Sequence, residues 1–293
     1  MLATFELSYS QLKDEEKRNW RALGVFPASF FGNAAAAVWG MGEGDADSLI
    51  GLLLRYSLID FNETLSRYEM HDLLAEYARS QMDGGEEDAV RLKHASHYKD
   101  ILSAADDLYL EGKEKILVGL RLFDLEWENI RAGQIWVAQN ITTSKEIAKI
   151  CSEYTNQTYC INLRLHPRML ISWHESSLSA DRFLEDRSAE GVDLGNLGNA
   201  YADLGDAKKA IEFYEQQLVI VREIGDRRGE AFGSWNLGLQ YESAGEFQKA
   251  IEVLQICVDY ERAIGHPDAE KDAAKIEEIR SKLDGEGERN SEG

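Results

Sequence analysis

Residues 186–225 and 226–265 of this 293-residue chain are two copies of one pattern. Laid over each other at a spacing of 40, they agree at 15 positions: Asp186/Asp226, Arg187/Arg227, Glu190/Glu230, Asn196/Asn236, Leu197/Leu237, Gly198/Gly238, Tyr201/Tyr241, Gly205/Gly245, Lys209/Lys249, Ala210/Ala250, Ile211/Ile251, Glu212/Glu252, Arg222/Arg262, Ile224/Ile264 and Gly225/Gly265. Composition alone gives about two or three such coincidences. A period of this length means stacked supersecondary units, because one unit cannot bury its apolar face alone. Each copy reads as two helices. Leu194, Leu197, Tyr201 and Leu204 recur at helical spacing, and Gly205-Asp206 then interrupts. Ala210, Ile211, Tyr214, Leu218 and Val221 mark one face of a second helix, which Gly225-Asp226 ends. Gly198 and Ala210 stand where helices must approach closely, and Tyr201 and Tyr214 fill the space between layers.

Leu194-x-x-Leu197-Gly198-x-x-Tyr201 followed by Ala210-x-x-x-Tyr214 resembles the tetratricopeptide repeat. The second copy, with Leu237-Gly238-x-x-Tyr241 and Ala250-x-x-x-Leu254, has Ser234 in place of Leu194. The longer period is similar to that of the long-helix variant, whose turns read as Gly225 to Glu230 do here. The resemblance implies an α-solenoid (residues 144–283) that takes a protein or peptide on a concave face lined by the first helix of each unit. By matching position, Asn199, Asp203, Trp235, Leu239 and Glu242 are the partner-binding candidates. The plain alternative is that half of them only pack against neighbouring helices. A degenerate repeat is expected over 144–185, with Trp173 on its second helix, ahead of the units at 186–225 and 226–265. After Pro267, Ala273, Ile276, Ile279 and Leu283 form one stripe of a charged helix, which suits a cap over 266–283. The Gly-, Glu- and Ser-rich tail, 284–293, is expected to be disordered.

The first eighty residues have a different grammar. Asp14-Glu15-Glu16 opens a helix ending near Leu23, and Phe26-Pro27 interrupts. Asn33 is placed to cap a short alanine helix, Ala34 to Trp39, and Asp45 or Asp47 to cap a helix carrying Leu49, Leu52, Leu53 and Tyr56. Ser57 to Phe61 and Arg67 to Met70 read as two strands joined by the turn Asn62-Glu63-Thr64. His71-Asp72 leads into a closing helix, Leu73 to Gln81. Helices, a two-stranded wing and a closing helix describe a winged-helix domain over 1–82. A helical linker over 83–143 follows.

Leu23-Gly24-Val25-Phe26-Pro27, Ala34 to Trp39, Leu58-Ile59 and Tyr68-x-Met70-His71-Asp72-Leu73-Leu74-x-x-Tyr77-Ala78 together resemble the winged-helix part of NB-ARC ATPases, members of the STAND class of signal-transduction NTPases. Met70-His71-Asp72 matches the MHD motif of that family. The resemblance implies that His71 senses nucleotide by reaching the β-phosphate of bound ADP, an act that requires the family's NTPase domain. An imidazole N–H suits that role, and its charge is adjustable near neutral pH. The alternative is that His71 only bonds a backbone carbonyl between strand and helix. Leu125 to Ala132 is similar to the helical linker that bacterial members place before their repeats.

The NTPase core itself is missing. Nothing reads G-x-x-x-x-G-K-[ST]: Gly84-Gly85 and the glycines between 40 and 44 lack the lysine. The chain is therefore expected to be non-enzymatic and to hold no cofactor. ADP or ATP with Mg belongs only to the full-length architecture, whose nucleotide-binding domain would be a partner in cis. The net charge is −21, and no third of the chain is basic, which counts against nucleic acid and against a polybasic membrane face. The candidate third helix of the winged unit carries one base, Arg55, so DNA readout by that unit is the less favoured reading. A stand-alone repeat scaffold or adaptor is the main alternative to a sensor fragment. Three cysteines without a C-x-x-C pair, and an N-terminal stretch charged at residues 14 to 18, point to the reducing cytoplasm. No apolar run is long enough to span a bilayer. His94-x-x-His97 reads as a solvated helix face rather than a zinc site, and no metal site is expected. Asp106-Asp107 and Glu86-Glu87-Asp88 read as solvated acids, His166-Pro167 as a turn, and Cys151 and Cys160 as buried small hydrophobes.

Overall fold

The computed structural model describes residues 2–156 and 158–291. The chain forms two compact units, Met1–Cys160 and Ile161–Gly293. It is mainly α, with one small two-stranded antiparallel sheet.

The first unit opens with α1 (Leu2–Ser10) and α2 (Asp14–Ala22), then a 3₁₀ turn at Leu23–Val25, α3 (Gly32–Trp39) and α4 (Glu43–Arg55). The wing follows as β1 (Asp60–Asn62) and β2 (Arg67–Glu69), and α5 (Asp72–Ser80) closes it. Two tryptophans hold this end. Trp20 is fully buried and its indole N–H donates to the Leu58 carbonyl at 3.1 Å, while that of Trp39 donates to Asn19 at 2.6 Å. The wing register pairs Asp60 with Glu69, Phe61 with Tyr68 and Asn62 with Arg67, and Phe30 bridges Tyr68 on its other edge.

Three local expectations shift. Phe31, not Asn33, stands at the N-cap of α3, which begins at Gly32. Gly42 caps α4, leaving Asp45 inside its first turn, where an acid favours the helix through the macrodipole without bonding an end amide. The first strand starts at Asp60 rather than Ser57, because Ser57 turns left-handed (φ 52°) to stop α4 and drops Leu58 and Ile59 into the core.

Next, α6 (Gly84–Glu111) and α7 (Glu114–Gln139) form a long hairpin, reversed at Gly112 and Lys113, both at positive φ. A Cβ on Gly119 would lie 2.3 Å from the Ala105 carbonyl oxygen, so only glycine allows this approach of α6 and α7. The hairpin is bound to the wing by a buried ion pair. Arg67 pairs with Glu126 through its two terminal guanidinium nitrogens, Nη2 at 2.8 Å from Oε2, and also donates to Ser29, while Asn129 donates to the Ser29 carbonyl at 3.0 Å. Arg67 is fully buried and its guanidinium lies over the Phe31 ring. The segments expected as a winged-helix domain and a linker are thus parts of one compact unit. They are followed by α8 (Lys145–Thr155) and α9 (Thr158–Arg164), the latter crossing the boundary between the units. That boundary falls inside the segment 144–185 expected as a single degenerate repeat.

The second unit continues with α10 (Pro167–Leu184), α11 (Arg187–Asp203), α12 (Ala207–Glu223), α13 (Arg227–Ser243), α14 (Phe247–Ile264) and α15 (Ala269–Ser291), each packed on the next. Left-handed glycines at 205, 225, 245 and 265 end successive helices. One ion pair recurs at every corner between a second helix and the next first helix: Arg182 to Glu190 at 2.8 Å, Arg222 to Glu230 at 2.7 Å and Arg262 to Glu270 at 3.0 Å. By this sign α10 is the second helix of a preceding unit and α15 the first helix of a following one. Within each unit glycine admits a large side chain. A Cβ on Gly198 would meet Tyr214 at 2.5 Å, and one on Gly238 would meet Leu254 at 2.4 Å. On α15, Ile276 and Ile279 are buried, while Glu277, Glu278 and Arg280 beside them are exposed. Its backbone stays helical to Ser291, past the start of the tail expected to be disordered, since elongating an established helix adds a bond per residue. Residues 292 and 293 lie outside the described residues. No described helix is long and apolar enough to cross a membrane.

Candidate functional site

The first helices of the two intact repeats, α11 and α13, carry matching ladders of exposed and half-buried side chains. Val192, Asn196, Asn199 and Asp203 follow one another at helical spacing on α11, and Phe232, Trp235, Asn236 and Leu239 do so on α13. The ladders meet where Asn236 Nδ2 donates to Asn199 Oδ1 at 3.3 Å, an oxygen that also accepts the Tyr214 hydroxyl at 2.6 Å. Burial of its ring, with the negative charge of Asp203 nearby, leaves Tyr214 protonated, its hydroxyl pushed up to about 12. Of the five candidates, Asn199 and Asp203 are exposed and Trp235 and Leu239 half-buried on this surface. Glu242 is different. Its carboxylate accepts from Lys275 at 3.0 Å and Lys282 at 2.8 Å, both on α15, and those ammoniums hold it below the usual carboxylate range despite burial. Glu242 fastens the cap rather than standing free for a partner. Sequence reasoning passed over Val192 and Phe232, which are 56 % and 58 % exposed at equivalent positions. Their apolar character at matching places in the repeat was the available signal.

His71 is exposed at the start of α5, where its Nδ1 accepts the Leu73 amide at 3.3 Å. It therefore caps the helix, and the partner is an amide rather than a carbonyl. A cavity of about 580 Å³ beside it is lined by Phe26, Ser29, Met70, Asp72, Arg79 and Arg91, among others, but not by His71. Glu69, Asp72 and Glu76 surround the motif with carboxylates, and Arg79 and Arg91 already bond the Gly24 carbonyl and Glu87. The residues of this chain around His71 do not by themselves fit a nucleotide phosphate.

Other titratable groups prove structural. His94 is buried rather than solvated, packed by Phe26 and Tyr98, and loss of solvent lowers its pKa to about 3. Asp106 is also buried: its two carboxylate oxygens accept the amides of Tyr159 and Cys160 at 2.9 and 2.8 Å, securing the start of α9. Glu86 pairs with Arg21 at 3.0 Å, and Glu87 with Arg91 at 2.7 Å. His166 caps α10 through the Arg168 amide. His174 and Asp193 face each other at 2.7 Å between α10 and α11, each buried, so no substrate reaches that pair. The three cysteines are buried. Among the described residues no group of His, Cys, Asp and Glu is arranged to hold a metal ion. On α4 the bases number one, Arg55, beside Glu43, Asp45 and Asp47.

Comparison with known proteins places these features. A search among curated proteins gave no match. Of solved structures, the STAND protein with a tetratricopeptide repeat sensor from Pyrococcus horikoshii is similar at 17 % identity over 95 % of this chain, with a TM-score of 0.39. This chain spans 57 % of the length of that protein. The tetratricopeptide repeat family matches residues 192–259. Those residues run from α11 to α14, the four helices of the two intact copies, which form a tetratricopeptide repeat region.

Proposed function

We propose that this chain is a non-catalytic recognition module whose repeats bind an extended protein or peptide segment across α11 and α13. The observation that carries the reading is the paired ladder of polar and apolar side chains on the surface of successive first helices. Carboxamides at Asn196, Asn199 and Asn236, of which Asn199 is exposed and the other two half-buried, supply donors and acceptors for a peptide backbone beyond the bond between Asn236 and Asn199, and Val192, Trp235, Phe232 and Leu239 supply apolar contact. Interfaces draw most of their energy from such aromatic and apolar anchors. The groups of catalytic interest are turned inward, as at His174 and Asp193. Within the larger architecture to which the winged unit's motifs point, the module reports binding to a nucleotide-binding domain outside this chain. His71 serves there as a contact completed by residues of that domain.

Selection from a displayed library of random peptides against the full chain tests the binding reading. Peptides are expected to be retained by the native chain and lost with Leu239→Arg, while Glu242→Gln keeps them. Retention by Leu239→Arg would remove the ladder surface from the role. A second reading is favoured by the His71 cap, which accounts for that histidine without any phosphate: an adaptor whose winged unit only packs. In a chain joined to its NTPase domain, His71→Asn keeps a capping side chain. The sensor reading expects weakened ADP affinity, whereas the adaptor reading expects none.

A further inference from the structure

The two intact repeats differ at one place in a way that packing does not explain. Val221 of α12 is buried in the first repeat, and the equivalent residue of α14 is Glu261. Where Asp226 caps α13, the equivalent residue ahead of α15 is His266. Around these exchanges lies a cavity of about 330 Å³, lined by Arg228, Phe232, Cys257, Tyr260, Glu261 and Ile264, with His266 at its edge. The rim residues Phe232 and Ile264 are more than half exposed.

Glu261 has no counter-cation that answers its charge. Its Oε2 is buried with no hydrogen-bond partner among the described residues. Its nearest cation-forming neighbour is His266, whose Nδ1 lies 3.7 Å from Oε1, and that nitrogen already accepts the Asp268 amide at 3.3 Å. The Arg228 guanidinium sits over the Phe232 ring, 5.5 Å from its centroid. Three other carboxylates of this unit are matched by cations: Glu190 by Arg182 and Arg187, Glu242 by Lys275 and Lys282, Glu270 by Arg262. The proton affinity of Glu261 is instead raised, by burial and by the like charge of Asp272 on α15, whose carboxyl lies within hydrogen-bonding reach. The Cys257 thiol, pushed up to about 12 by burial and by the Glu261 and Asp272 charges, stays protonated beside Glu261 and adds no charge, and the Oε2 oxygen keeps no partner among the described residues.

We propose that this cavity is a second binding site, which takes a lysine side chain of a partner protein. The ammonium reaches Glu261 Oε2, and the methylene stem lies along Phe232, Cys257 and Ile264. One free acceptor oxygen suits a point charge with rotatable donors better than the planar fork of an arginine, which asks for two. Long basic side chains bury their stems readily while keeping the charge satisfied. The site lies in the second unit, where acids outnumber bases, so a basic partner is drawn toward it.

The test titrates the full chain with n-butylammonium chloride and, separately, with n-butylguanidinium and n-butanol, reading amide shifts by NMR. Saturable shifts at Phe232, Tyr260, Glu261 and Ile264 are expected with the ammonium, at least about tenfold tighter than with the alcohol. Glu261→Val, which restores the residue of the first repeat, is expected to fold, to melt no lower than the native chain, and to lose the shifts. Glu261→Gln is expected to lose them as well. Equal response to the alcohol, tighter binding of the guanidinium, or shifts retained in Glu261→Val would each overturn the proposal. The two sites share Phe232, which Glu261→Val leaves in place, so peptide retention by that variant, and its loss with Leu239→Arg, report on the ladder apart from the cavity.

Discussion

A buried titratable side chain writes its environment into the pH dependence of the fold. His94 is held neutral by its apolar surroundings, with a folded pKa of about 3 against an ordinary 6.5. The unfolded chain therefore binds the extra proton over that window. Stability from this residue is complete above pH 6.5 and falls as the pH drops toward 3, by about 1.4 kcal/mol per unit. Urea unfolding at pH 7 and pH 5 is expected to show a loss about 2 kcal/mol smaller in His94→Leu than in the native chain. Arg67 and Glu126 give a second case. Removing one partner strands a buried charge, so Arg67→Met is expected to cost about 3–5 kcal/mol by denaturant titration, and the double change Arg67→Met with Glu126→Leu to recover most of it. Neither role was legible in the sequence. His94 sits in an i, i+3 pair typical of an exposed helix face, and Glu126 in a run of charges. What decides each is a contact with chain far away in sequence, Phe26 for one and Arg67 for the other. His71 was legible by motif, but its bond to the Leu73 amide was not, since a cap depends on where the helix begins.

At the scale of helices, the repeats were readable because their information is local and duplicated. Spacing gave the apolar faces, glycines gave the ends, and the 40-residue shift aligned them. Helix starts in the first unit were less readable. Asn33 and Asp45 are good capping residues that fall inside the helices, with Phe31 and Gly42 in the cap positions. Degenerate repeats lose the local signal first, so before Asp186 the sequence offered little beyond a second helix carrying Trp173, and the pair Arg182 to Glu190 adds the corner that marks α10 as such a helix. The corner there carries a mark of that decay. Glu185 occupies the left-handed position (φ 61°) that Gly225 and Gly265 hold in the later copies. A residue with a Cβ is strained in that conformation by roughly 1–2 kcal/mol. Glu185→Gly is expected to raise the stability of the second unit by about 1 kcal/mol, part of the relief being offset by the entropy of the unfolded glycine, and thermal unfolding followed by circular dichroism checks it.

For the chain as a whole, charge sets the terms of encounter. An excess of 21 acids over bases favours a partner of opposite sign and speeds its approach at low salt. Association of a selected basic peptide is expected to slow by about tenfold or more between 20 and 300 mM NaCl, with the dissociation rate changing less, as stopped-flow fluorescence would measure. The composition told this much at once, while the identity of the surfaces that respond had to come from coordinates. The corner pair between arginine and glutamate has one more consequence. Since each joint is closed by the same two residues eight apart, the joint does not depend on which copy precedes or follows it. A block of 40 residues spliced in at Asp226 would find matching ends on both sides. Evolution can therefore lengthen or shorten such an array one brick at a time, changing its reach without redesigning the mortar.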